Sequence, residues 1–118
     1  MILTVPPEEV TYIAGSKDIG NRAIPPFDER ACGFLNDLSS ELLADKEAAA
    51  YSDVMTFAFW CRRGNINSLK SEFEKDKKIR LGLGLSFHIT PSNVPVNFAF
   101  SFAFGLLAGN SNIVKLPF

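Results

Sequence analysis

Residues 81–118, LGLGLSFHITPSNVPVNFAFSFAFGLLAGNSNIVKLPF, read as strand, tight turn, buried segment, turn and second strand, with the polar groups gathered at the turns. From Ile79 the apolar period is two: Ile79, Leu81, Leu83, Leu85, Phe87 and Ile89 alternate with Arg80, Gly82, Gly84, Ser86 and His88. That is the pattern of an extended strand pair or of one long bent strand. Gly82 and Gly84 suit a bend or a close backbone approach rather than a phosphate loop, and Phe87 stands where the third glycine of a GxGxxG fingerprint would be. Thr90-Pro91-Ser92-Asn93-Val94-Pro95 punctuates the strand, with Pro95 suited to the first turn of a helix. In the following segment Phe98, Phe100, Phe102 and Phe104 alternate as a strand would. Its length, Gly105, and the Gly109-Asn110 stop favour a helix, and two parallel strands on either side would require one. Asn112 to Leu116 then forms the second strand, completing a βαβ unit with a right-handed crossover.

Upstream, the period is helical. Phe27, Ala31, Phe34, Leu35, Leu38, Leu42 and Leu43 form one stripe of a helix of about four turns, with Asp28 and Glu29 at its positive end. A second helix is expected after Asp45, which can cap it, with Ala48, Tyr51, Met55, Ala58 and Phe59 inward and a stop at Arg62-Arg63-Gly64. A third is expected with Asn65 as cap and Ile66, Leu69 and Phe73 inward, ending in the solvated run Glu74 to Lys78. Before Phe27 the chain is rich in Pro and Gly and reads as an extended arm, with one short strand near Val10 to Ala14. The domain reading is therefore an arm over 1–26, a helical segment over 27–78 and a partial nucleotide-binding βαβ unit over 79–118. The fold class is α/β.

Composition narrows the function. The net charge of −1 gives no drive toward phosphate backbones, which speaks against nucleic acid. Cys32 and Cys61 lie inside helical patterns without metal-ligand spacing, so both read as core residues, and no metal site is expected. The start, MILTVPPEEV, lacks a basic n-region, and the apolar run Val94 to Ala108 is short of the roughly 20 residues a spanning helix needs. A cytoplasmic protein without a membrane span is the expectation.

In an open α/β sheet, ligands bind off the carboxyl ends of strands, which here are Thr90 to Asn93 and Lys115 to Phe118. Asn93 offers amide donors for a developing oxyanion, and Lys115 offers a fixed charge for a ribose or phosphate. From the residues alone a second reading of each stands: Asn93 as a cap for the following helix, and Lys115 as a solvated strand end. His88, the sole histidine, reads as a packed, hydrogen-bonded side chain rather than a base or ligand.

The run ITPSNVP, followed by GLLAGNSNIVKLP, resembles the aldehyde dehydrogenase superfamily. Together with PPFDERACGFLNDLSSELL, the FHITPSNVP stretch resembles its acyl-CoA reductase branch, the LuxC-type fatty acyl reductases. The resemblance implies that 79–118 is the first βαβ unit of a Rossmann-like aldehyde dehydrogenase domain. It implies that Asn93 helps form the oxyanion hole, that Lys115 holds the adenosine ribose or its 2′-phosphate, and that the backbone of Thr90, Pro91 and Ser92 lies along the cofactor. Ser92 stands where oxidising dehydrogenases carry Trp, which fits the reductase branch. The implied reaction is acyl-CoA plus NADPH to aldehyde, CoA and NADP through a cysteine thioester, with NADP preferred to NAD. An acyl-CoA or acyl-thioester substrate, an acyl-protein synthetase partner and an oligomeric parent are implied as well. The nucleophilic cysteine is expected downstream of Lys115, beyond Phe118, and neither Cys32 nor Cys61 matches it. The expectation is thus an N-terminal piece that does not turn over alone. The alternatives are a piece of another superfamily member and a non-catalytic folding or interaction module.

Overall fold

Asp28 opens the helical layer. Its carboxylate accepts from the Arg30 backbone N–H at 3.0 Å and caps α1, Glu29–Ala44. The Arg30 guanidinium, hydrogen-bonded to the same carboxylate, holds the Asp28 carboxyl below its usual range, so the cap stays charged. In the computed structural model, which describes residues 11–20 and 22–116, the order continues with a 3₁₀ turn Ala48–Ala50, α2 Ser52–Trp60, α3 Arg63–Glu74, β1 Leu85–Ile89, α4 Asn97–Leu107 and β2 Ser111–Lys115.

β1 and β2 pair in parallel, with Leu85 opposite Ser111, Phe87 opposite Ile113 and Ile89 opposite Lys115, and α4 is the crossover between them. The chain is therefore α/β, with one βαβ unit. The helical reading of α4 holds against its Phe alternation, and aromatic partners on α1 and α2 take up three of its Phe side chains. Phe100 meets Phe57 at 5.0 Å and Trp60 at 5.6 Å, Phe104 meets Trp60 at 5.1 Å, and Phe102 meets Phe34 at 6.2 Å. The helix stops at Gly109, whose φ of 91° is left-handed and costs glycine little.

The core is made by helices. Cys32, Leu35, Phe57, Cys61, Ile66, Ala103 and Leu107 form one buried cluster, so α4 packs on α1–α3 with one side and on the sheet with the other. Ser39 sits in the α1–α2 contact and donates to the Ala58 carbonyl at 2.6 Å, occupying one of the carbonyls that a helix end leaves free.

Several expectations are corrected. The buried stripe of α1 is Ala31, Cys32, Leu35 and Ser39, whereas Phe34 and Leu43 lie at its exposed margins. Asp45 caps the short 3₁₀ turn, accepting from Glu47 N at 2.7 Å and Ala48 N at 3.2 Å. Tyr51 then turns extended, so α2 starts at Ser52 and buries Phe57 and Ala58 rather than Tyr51 and Phe59. α3 begins ahead of Asn65, which is inside the helix and donates to the Trp60 carbonyl at 2.7 Å. Its first N–H, that of Arg63, is satisfied across the bundle by Asn36 Oδ1 at 3.1 Å.

The expected strand over 79–89 is shorter: 79–84 is irregular, because Gly82 N donates to Ile24 O at 3.1 Å instead of to a sheet neighbour. Gly84 has φ 114°, and a Cβ on Gly82 would collide with the Gly109 carbonyl, which are the bend and the close approach expected of these glycines. β2 starts one residue early, at Ser111. Residues 11–14 form no strand, and Val10 lies outside the described residues. Among the described residues, no helix is long and apolar enough to cross a membrane.

Candidate functional site

Parallel pairing in register brings the carboxyl ends of β1 and β2 together. Ile89 faces Lys115, and the Thr90 hydroxyl, one residue past β1, donates to the Lys115 carbonyl at 3.2 Å. The two ends are thus tied by a side chain as well as by the ladder. Pro91, Ser92 and Asn93 follow in an exposed turn that leads through Val94–Val96 into α4. Lys115 is exposed and forms no ion pair among the described residues.

Asn93 does not cap α4. The cap position is Val96, no side chain caps that end, and the Asn93 amide has no intramolecular partner among the described residues. The positive end of α4 therefore faces the same turn that carries Asn93. The arrangement offers amide and ammonium donors and an uncapped helix start at the strand ends, a donor set suited to an anionic or carbonyl-bearing ligand.

Beneath this rim lies a polar group that spacing did not predict as a unit. His88 Nδ1 is 2.8 Å from Ser101 Oγ and Nε2 is 2.8 Å from Asn112 Oδ1, so the lone histidine is fully hydrogen-bonded, as expected. Asn110, at the turn into β2, accepts with its side-chain oxygen from Leu83 N at 2.6 Å and Gly84 N at 3.3 Å. It thereby fixes the approach to β1. Asn110 and Asn112 flank the start of an apolar strand in the sequence, and that doubled amide was the available signal.

Neither cysteine is arranged as a nucleophile. Cys32 and Cys61 are 1% and 0% exposed, and burial pushes both thiols up, Cys61 to about 11. Among the described residues no three His, Cys, Asp or Glu side chains gather as metal ligands. A hollow of about 540 Å³ lined by Phe27, Leu69, Phe73, Leu81, Leu83 and Phe104 opens at the amino ends of the strands, the opposite end from Thr90 and Lys115.

Residues 26–118 match the family model described as acyl-CoA reductase (LuxC). No curated protein and no solved structure matches the chain.

Proposed function

The chain belongs to the LuxC acyl-CoA reductase family, and on that premise we propose that it supplies the oxyanion donor and part of the nicotinamide-nucleotide cradle of an enzyme that reduces an acyl thioester to an aldehyde. The observation that carries the reading is the tied pair of strand ends, Thr90 to the Lys115 carbonyl, with the exposed Asn93 turn leaving from the same edge. In this reading 79–118 is the first βαβ unit of a Rossmann-like domain.

The nucleotide, NADPH in preference to NADH, would supply the hydride. Lys115, charged and without an ion-pair partner among the described residues, would hold its adenosine ribose or 2′-phosphate. The backbone of Thr90, Pro91 and Ser92 would line it. Asn93 would donate its amide N–H to the substrate oxygen as negative charge develops there, and an unsatisfied amide is free to do so. The nucleophilic thiol in this proposal lies outside these residues, since a thiol buried in the helical core reaches no substrate. A cytoplasmic setting, an acyl-protein synthetase partner and an oligomeric parent belong to the same proposal.

Calorimetric titration of NADPH and NADH into the chain tests the cradle. Saturable binding weakened about tenfold or more by Lys115→Ala is expected, the loss of one charge-assisted contact. No binding of either nucleotide overturns the assignment of these residues to a cradle.

A second reading, a non-catalytic folding or interaction module, draws on the bare side of the sheet, where Leu85, Phe87 and Ile89 are 45%, 46% and 58% exposed. Self-association without nucleotide binding would favour it.

A further inference from the structure

His88 lies under α4 with both ring nitrogens in use. Asn112 Nδ2 donates to the Asn110 carbonyl at 2.8 Å, which turns Asn112 Oδ1 toward His88 Nε2, also at 2.8 Å. An amide oxygen only accepts, so Nε2 carries the proton, and in the neutral ring Nδ1 accepts from the Ser101 hydroxyl at 2.8 Å. The partners come from different elements: His88 from β1, Asn112 from β2 and Ser101 from α4. Gly105, one turn after Ser101, makes the room, because a Cβ there would run into the Asn112 amide and crowd His88 Nε2. One imidazole therefore fastens both strands to the helix, two residues ahead of Thr90.

We infer that His88 is a positioning residue for the strand-end site: held as the Nε2–H tautomer by Asn112 and Ser101, it fixes the first turns of α4 against β1 and β2 and so sets where the 90–96 turn stands relative to Lys115. Its functional consequence rests on the nucleotide-cradle reading; its structural consequence rests on the hydrogen bonds alone. Rotation or sliding of α4 over the sheet would break one or both bonds and leave polar groups unpaired beneath the helix, which gives the arrangement a single low-energy setting.

His88 is the only histidine, so its imidazole nitrogens are unambiguous in a long-range ¹H–¹⁵N spectrum of the labelled chain. At pH 8 the Nε2–H pattern is expected, and an Nδ1–H or interconverting pattern overturns the inference. His88→Phe keeps a ring and drops both bonds, whereas His88→Gln retains an amide that can donate to Asn112. In His88→Phe the Asn93 and Lys115 amide resonances are expected to shift and nucleotide binding to weaken about tenfold, the equivalent of one hydrogen bond. His88→Gln is expected to restore most of both. Unmoved Asn93 and Lys115 amides in His88→Phe, or equal effects of Phe and Gln, overturn the inference, and should His88→Phe not fold, the Gln variant and the tautomer spectrum decide alone. If the unmodified chain binds neither nucleotide, the cradle reading falls, while the tautomer and the amide shifts still decide the role of His88.

Discussion

Asn93 stands exposed in the turn between β1 and α4, with its amide unengaged among the described residues. A group that helps only when charge develops on the substrate should leave binding intact and lower turnover. In the enzyme containing this segment, Asn93→Ala is expected to reduce kcat on the order of 100-fold with little change in KM, measured by steady-state kinetics. Unaltered kcat would remove Asn93 from the site. Cys61 is the opposite case, a side chain whose burial silences it. With its thiol pushed from 9.0 to about 11, the folded state keeps a proton that the unfolded state gives up first. The stability this contributes is full below the unfolded value and is lost as pH rises through the folded one. Between pH 9 and about 11 the chain should therefore lose stability relative to Cys61→Ala in urea titrations. At pH 8 the native thiol should resist iodoacetamide until urea exposes it. His88 was legible as a satisfied histidine because an imidazole amid apolar strand residues needs partners. Which partners was not legible, since Ser101 and Asn112 are distant in the chain and only meet when α4 lies across the strands.

Elements read well where local chemistry decided them. Gly109 at the end of α4 is a stop residue whose physics is local and serves as read, whereas Asp28, read as a first-turn charge at the positive end of α1, is its cap. Boundaries that depend on neighbours were missed. Asn65 reads as a cap by residue type, yet the cap position of α3 is Arg62, and the first N–H of the helix, that of Arg63, is taken up by Asn36 on α1, across the bundle. Residues 79–83 alternate as a strand but have no ladder partner among the described residues, because the Ile24 backbone takes the Gly82 N–H. The α2–α4 contact is an aromatic cluster in which Phe100 touches both Phe57 and Trp60 edge-on. Phe100→Ala should cost about 3 kcal/mol, read from urea unfolding through the fluorescence of Trp60, the single tryptophan. A loss below 1 kcal/mol would show that the cluster contributes little beyond contact.

Across the described residues, α4 separates a helical core from a two-stranded sheet, and no element among them covers the far face of that sheet. Leu85, Phe87, Ile89 and Ile113 share it, all at least 36% exposed, whereas parallel sheets are ordinarily covered on both faces. The native chain should therefore bind a hydrophobic dye such as anilinonaphthalene sulfonate without unfolding, and Phe87→Ser should weaken the fluorescence response while far-ultraviolet circular dichroism is retained. An undiminished response would place the dye elsewhere, for example in the hollow by Phe73 and Leu81. The alternation Leu85-Ser86-Phe87-His88-Ile89 marked two faces of a strand correctly. It is the polar side, Ser86 and His88, that turns toward α4, and the apolar side that stays bare. The sequence by itself determined the helical layer, the strand, turn, helix and strand order of 81–116, and the family, because caps, stops, periodicity and a contiguous motif are properties of neighbouring residues. Tertiary structure alone decided which face of β1 the helix covers, which amides hold His88, and that Thr90 ties itself to the end of β2. Each of those depends on groups far apart in the chain, whose meeting is set by how α4 packs between sheet and helices.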